Sequence, residues 1–173
     1  IKLKNIFFYY LTCNNEQRKK HITNEFKEFK LVEVNPITDI GKSKSGATGF
    51  SKILDQACQD QDKFKPFQPF IIFEDDVKKF REFPLEIDIP DDTDILYIGL
   101  SKCGMTNTGY GYTVCSQNIN ENIIRIHNML SLHGIIICSV RGLLSLQKCM
   151  LDSYYNNKIW DIYTAEIQPY LKV

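Results

Sequence analysis

Phe70-Ile71-Ile72-Phe73-Glu74-Asp75-Asp76-Val77 is the stretch that decides how this chain is read. Four apolar residues rich in Ile and Phe predict a strand buried on both faces of a sheet. Three carboxylates follow with no spacer, and adjacent acids repel one another and are expensive to bury unpaired. A strand that ends this way offers hard oxygen ligands to a divalent cation. The competing reading is a strand that leaves the core into a solvated acidic turn. In strand geometry Glu74 and Asp76 face one way and Asp75 the other, unless the chain turns there.

Working back toward the N-terminus, residues 6–11 form a dense apolar and aromatic run that predicts the first strand. A turn follows, in which Asn14 or Asn15 is placed to cap a helix. In residues 16–29, Ile22, Phe26 and Phe29 recur at helical spacing. Leu31–Val34 alternates and stops at Asn35-Pro36, a second strand. Residues 41–46 read as a polar loop carrying Lys42 and Lys44, with Thr48 placed to cap a helix through Phe50, Ile53, Leu54, Ala57 and Cys58. Polar residues 60–65 and two prolines then lead into the acidic strand. The first half is therefore β-α-β-loop-α-β, the pattern of an α/β sheet with parallel strands.

Working forward, residues 94–99 predict another buried strand, and residues 104–111, with three glycines and two threonines, a flexible loop. Residues 112–115 and 122–127 suggest a hairpin of short strands, and 134–138 a further strand. Residues 142–152 are helical, and Trp160-Asp161-Ile162-Tyr163 introduces a last short helix around 164–167. No repeat, low-complexity tract or linker divides residues 1–173, which read as a single domain.

Composition narrows the class. A chain of 173 residues that is 43% hydrophobic builds a sizeable core, which excludes disorder. Lys+Arg and Asp+Glu balance at 21 each, so net charge offers no argument for nucleic acid or an anionic membrane. The six cysteines form no C-x-x-C pair, and the expectation is buried free thiols in a reducing compartment. No run approaches a membrane span and the first residues lack the build of a signal peptide, so the expected location is cytoplasmic.

Several side chains carry candidate chemistry. Lys42, Lys44 and Arg18 are candidate phosphate partners, with the amides of Ser43, Ser45 and Gly46 adding to an anion site; a solvated basic loop is the alternative. Gly41-Lys42-Ser43 is not a P-loop, because the earlier glycine is missing. Arg18 at a helix start opposes the helix dipole, which hints at a ligand. His21 reads as solvated and His127 as structural, while His133, just before a strand, is within reach of a site. Asp161, beside the only tryptophan, is either a carboxylate against an aromatic platform or an exposed helix cap.

The order of these motifs resembles the GT-A glycosyltransferases, nearest to the lipopolysaccharide and procollagen galactosyltransferase-like family and the small glycosyltransferases of large DNA viruses. The likeness lies in Phe8-Tyr9-Tyr10-Leu11-Thr12 with Arg18 downstream, and in Gly46-Ala47-Thr48-Gly49-Phe50-Ser51-Lys52, where the family usually reads Ser-His in place of Ser51-Lys52. It continues in Ile72-Phe73-Glu74-Asp75-Asp76-Val77, similar to the family's Glu-Asp-Asp signature, and in residues 94–100 and 133–139 with the leucine-rich helix after them. The resemblance implies a single GT-A-like, Rossmann-like domain with a central, mostly parallel mixed sheet flanked by helices. It implies a metal, Mn²⁺ or Mg²⁺, on Asp76, and contacts from Glu74 and Asp75 to the ribose or donor sugar. Leu11 and Thr12 would border the nucleotide base. The implied partners are a nucleotide-diphosphate sugar, most readily a UDP-sugar, and a glycan or protein-linked glycan acceptor. An inverting enzyme needs a carboxylate to deprotonate the acceptor hydroxyl, and Asp161 is the candidate. The alternatives are a metal-dependent nucleotidyltransferase or phosphohydrolase, which the lack of a second acidic motif disfavours, and a non-catalytic nucleotide-sugar-binding module.

Overall fold

A computed structural model describes residues 1–13, 15–61, 66–106, 109–111 and 113–173. The first strand, β1 (Phe7–Leu11), leads to helix α1 (Glu16–Glu25), strand β2 (Leu31–Val34), helix α2 (Lys42–Gln61) and strand β3 (Phe70–Glu74). Strands β4 (Ile95–Tyr97), β5 (Gly104–Thr106), β6 (Gly109–Gly111), β7 (Ser116–Asn118), β8 (Ile124–Ile126) and β9 (Gly134–Ile137) follow. Helices α3 (Val140–Asn156) and α4 (Trp160–Ile167) complete the order. The central sheet runs β2-β1-β3-β9-β4, with β1 parallel to both β2 and β3 and β9 antiparallel to its two neighbours. Two pairings are therefore parallel and two antiparallel, so the α/β class holds with a mixed sheet that is partly, not mostly, parallel.

Alternation along the strands builds two cores. Phe8, Tyr10, Ile71, Phe73 and Ile136 face Ile22, Phe26 and Phe29 of the α1 layer. Tyr9, Leu11, Phe70, Ile72, Ile135 and Ile137 face Phe50, Ile53, Leu54 and Ala57 of α2 and Leu143, Leu146 and Met150 of α3. Residues 70–73 are at most 3% exposed, as expected of a strand covered on both faces. Burying each such side chain stabilises the fold by roughly 2 kcal/mol. The Phe8 and Phe29 rings stack with centroids 4.1 Å apart, closing the α1 layer.

Several expectations are corrected. Lys42 and Lys44 lie in the first turn of α2 rather than in a loop: Gly41, with φ +85°, turns the chain, and Ser45 N already donates to Gly41 O at 2.8 Å. Thr48 is inside that helix, its hydroxyl donating to Ser45 O (2.8 Å) and accepting from Ile37 N (3.3 Å), so it caps nothing. Asn15 caps α1, accepting from Gln17 N and Arg18 N, while Asn14 lies outside the described residues. The glycine-rich stretch expected to be a flexible loop contains the hairpin β5–β6, and the next hairpin pairs β7 with β8, so its first strand starts at Ser116 rather than earlier. Residues 62–65, 107–108 and 112, which fall within expected polar, loop and strand segments, lie outside the described residues. All six cysteines are free, yet only Cys149 is buried and Cys13 and Cys115 are exposed, so the expectation of buried thiols fails for most of them. Among the described residues no helix is long and apolar enough to cross a membrane.

Candidate functional site

The chain leaves β1 to form β2 on one side, then crosses to form β3 on the other side of β1. Strand order therefore reverses between β1 and β3. In open α/β sheets the crevice outside the carboxyl ends at such a switch point is where ligands bind. Leu11 pairs with Glu74 at those ends, so Thr12 and the acidic triplet border this crevice. Because β9 runs the opposite way, its start lies there too: Gly134 pairs with Phe73, and Glu74 N donates to His133 O at 3.1 Å.

Asp75 points away from Glu74, as alternation predicts, but Asp76 does not simply follow Glu74, because one arginine reaches both aspartates. The chain turns at Asp75-Asp76. Asp75 points into the α1 layer, where its Oδ1 accepts from Arg18 Nη1 at 3.0 Å. Arg18 Nη2 also lies 3.4 Å from Asp76 Oδ2, so this arginine offsets part of the charge of the acidic turn. Glu74 Oε2 is hydrogen-bonded to His133 Nδ1. One ligand atom each from Glu74, Asp76 and His133 lie within 4.8 Å of one another. Two carboxylates and an imidazole at that spacing fit a divalent cation that accepts both oxygen and nitrogen, such as Mn²⁺. The sequence alone puts His133 only within reach of a site. The signal that places it here is the antiparallel direction of β9, which no local pattern carries.

Two oxygens at the same strand ends are left over. Thr12 is fully buried and Asp75 is 3% exposed, and neither Thr12 Oγ1 nor Asp75 Oδ2 has a hydrogen-bond partner among the described residues. Buried polar atoms are nearly always paired, and leaving one unpaired costs about 1–3 kcal/mol. Both atoms sit at the ends of adjacent strands on the same face. A ligand donating hydrogen bonds would satisfy both.

Helix α4 brings Asp161 to the same end of the sheet. Helices α2 and α3 pack antiparallel, with Lys44 Nζ 5.2 Å from the Tyr154 ring at one end and Gln147 donating to Asp55 (3.1 Å) further along. The C-terminus of α3 therefore lies beside the start of α2. Trp160, the first residue of α4, rests on α2 in a seat made by Gly46 and Phe50. A Cβ on Gly46 would meet the indole at 2.0 Å, and the Phe50 and Trp160 ring centroids are 5.9 Å apart. Gly49 admits Leu11 in the same way, its added Cβ meeting Leu11 Cδ1 at 2.3 Å. The glycines of α2 thus let the helix close on both the strand end and the tryptophan.

Asp161 sits in the first turn of α4, but its side chain caps nothing, since the cap position is Ile159. Burial pushes its carboxyl up to about 6, the Glu74 charge adds to the rise, and His133 opposes it. Asp161 therefore senses the acidic strand electrostatically. It also lines a cavity of about 220 Å³ with Cys103, Tyr110, Leu130, Ile159 and Ile162. A carboxyl with an affinity for protons near neutral pH, beside a cavity, is suited to accept a proton from a bound hydroxyl.

The remaining predicted residues divide. Leu11, Thr12, Arg18, Glu74, Asp75 and Asp76 lie at the same end of the sheet, with Leu11 packed in the core against Gly49. Lys42 and Lys44 make no described contact with the acidic residues, and the Lys44 ammonium lies over Tyr154. Lys52, where the resembled family usually has histidine, donates to Asn35 O at 3.0 Å. His21 is not solvated; its Nε2 lies 2.7 Å from Val77 O, fixing the segment just past the acidic turn to α1.

Compared with protein-family models, curated proteins and solved structures, the chain matches none.

Proposed function

We propose that the chain is a metal-dependent glycosyltransferase that uses a nucleotide-diphosphate sugar, most readily a UDP-sugar. What supports this reading is that the Glu74–Asp76–His133 group and the unpartnered oxygens of Asp75 and Thr12 both lie at the carboxyl ends of β1 and β3, where the strand order reverses. A donor nucleotide presents a diphosphate to bridge a cation and ribose hydroxyls to donate to buried acceptors, so one ligand answers both features. Asp76 would hold the metal together with Glu74 and His133, Asp75 would accept from the ribose or donor sugar, and Leu11 and Thr12 would border the base. The cation would supply positive charge to the leaving diphosphate. In the transfer, the acceptor oxygen forms a bond to the anomeric carbon as the bond from that carbon to the phosphate oxygen breaks. The electron pair leaves with the nucleoside diphosphate, and the acceptor's proton passes to Asp161. Arg18 screens the two acids it touches, while Lys42 and Lys44 add positive charge at the neighbouring helix start.

A thermal-shift screen of nucleotide sugars with and without Mn²⁺ tests this, because a bound ligand raises apparent stability by mass action. The expected outcome is a Mn²⁺-dependent rise for one nucleotide class, lost in Asp76→Ala and weakened upwards of about tenfold in affinity in His133→Ala. No response to any nucleotide with either Mn²⁺ or Mg²⁺ sinks the reading. Phosphate or pyrophosphate release from nucleoside triphosphates without sugar transfer would replace it with a phosphohydrolase or nucleotidyltransferase.

A further inference from the structure

We propose that the cavity beside Asp161 receives the acceptor as a phenolic hydroxyl carried on a compact aromatic body. This rests on the glycosyl-transfer reading above and departs from the glycan acceptor that the resemblance implies. The cavity measures about 220 Å³, and a closed apolar cavity of roughly 150 Å³ already holds a benzene ring. Leu130 is buried at 6% exposure, while Tyr110 and Ile159 keep 62% and 44% of their surface exposed at the mouth. Among the described residues the wall is formed by Leu130, Ile159 and Ile162 with Cys103, Tyr110 and Asp161.

That wall suits a ligand with one hydroxyl. A hexose would carry several hydroxyls into it, and each one left without a partner costs about 1–3 kcal/mol. An aromatic ring buries its faces against Leu130, Ile159 and Ile162, meets Tyr110 as an aromatic neighbour, and needs a partner for a single O–H. Asp161 supplies it. The chemistry agrees, since a phenol ordinarily loses its proton near pH 10, far closer to the range of a carboxyl than an aliphatic alcohol does. On transfer the phenolic oxygen takes the anomeric carbon, its proton goes to Asp161, and the diphosphate leaves with the bonding pair.

The test titrates the full chain with p-cresol and, separately, with methyl β-D-glucopyranoside, reading amide chemical shifts. The same sample is then assayed for Mn²⁺-dependent nucleotide-sugar binding. The expected result is that p-cresol shifts residues 103, 110, 130 and 159–162 and binds about tenfold or more tightly than the glucoside. Ile159→Trp, at the exposed mouth, and Ile162→Phe, inside it, should each weaken p-cresol by about tenfold with an unchanged circular dichroism spectrum. Glucoside binding as tight as p-cresol, or p-cresol binding that neither folded variant changes, overturns the proposal. Nucleotide binding with no p-cresol in the cavity overturns the acceptor class and leaves the donor reading standing. Seated p-cresol with no nucleotide binding supports the aromatic subsite and overturns the donor reading alone.

Discussion

Asp94 and Asp75 are equally buried, at 3% exposure each, and stand at opposite ends of the sheet, Asp94 just before β4 and Asp75 just after β3. Asp94 accepts from Ser139 Oγ at 2.6 Å, from Arg141 Nε at 3.1 Å to each oxygen, from Arg141 Nη2, and from Lys172 N at 2.9 Å. Its backbone joins the same knot, since Asp94 N donates to Lys172 O and Asp94 O accepts from Cys138 N. Asp75 accepts one bond, from Arg18, and its other oxygen has no partner among the described residues. One carboxylate is saturated by the fold and the other is left half-satisfied. A buried aspartate with every lone pair occupied holds a structure together, and one with an oxygen to spare is available to a ligand.

The strongest way to break this contrast is Asp94→Ala. The change leaves the Lys172 amide, Ser139 and Arg141 without their acceptor and should cost about 3 kcal/mol of stability in urea denaturation. Metal and nucleotide binding measured on the folded fraction should stay within a factor of about two. A loss below about 1 kcal/mol would show that the knot is not a structural one.

The two halves of the contrast were not equally legible in the sequence. The apolar run Phe70–Phe73 ends in acids, so the buried strand and the cation-binding candidate are both legible in the local pattern. The role of Asp94 was not, because its partners arrive from residues 139–141 and 172, which nothing in the local pattern connects to it. The same limit hid His133, whose place depends on the direction of β9. The helical start of α2 is not legible because Lys42-Ser43-Lys44-Ser45 shows no apolar face. That turn is set by distant contacts, Gly46 against Trp160 and Lys44 over Tyr154. Periodicity reports which face of an element is buried, whereas site geometry needs the crossings between elements.

A pH titration sharpens the contrast from another side, because Asp94 and Asp161 are displaced in opposite directions. Burial alone would raise Asp94, but Arg141, the Lys172 amide and Ser139 outweigh it and hold the carboxyl below its ordinary range. Its stabilising contribution is therefore fully present above the unfolded value of about 3.9 and is lost as pH falls through the folded value. Asp161, raised to about 6, binds its proton more tightly when folded. Stability should then fall as pH rises from about 4 to about 6, by on the order of 2 kcal/mol. In chelator-treated protein, Asp161→Asn should flatten the slope between about pH 4 and 6 and leave the acid limb intact. A slope unchanged in Asp161→Asn would remove Asp161 as its source.

The smallest expected effect tests the spare oxygens directly. Thr12→Val keeps the shape of a fully buried side chain and removes a hydroxyl that has no partner among the described residues. At a structural position the loss of a hydroxyl normally costs about 1 kcal/mol, as Ser139→Ala should, since Ser139 Oγ donates to Asp94 and accepts from Gly142 N. At Thr12 the sign should reverse. With no hydrogen bond to lose and one buried polar group fewer, the apo protein should gain up to about 1 kcal/mol in urea denaturation. The same variant should bind the nucleotide sugar several-fold more weakly, because the hydroxyl at the end of β1 is then absent when the ligand needs it. A residue that weakens the free protein and strengthens the complex is serving the ligand rather than the fold, a pattern common at binding sites. Thr12→Val that destabilises the apo protein as much as Ser139→Ala does would place Thr12 with Asp94, among the groups that hold the sheet.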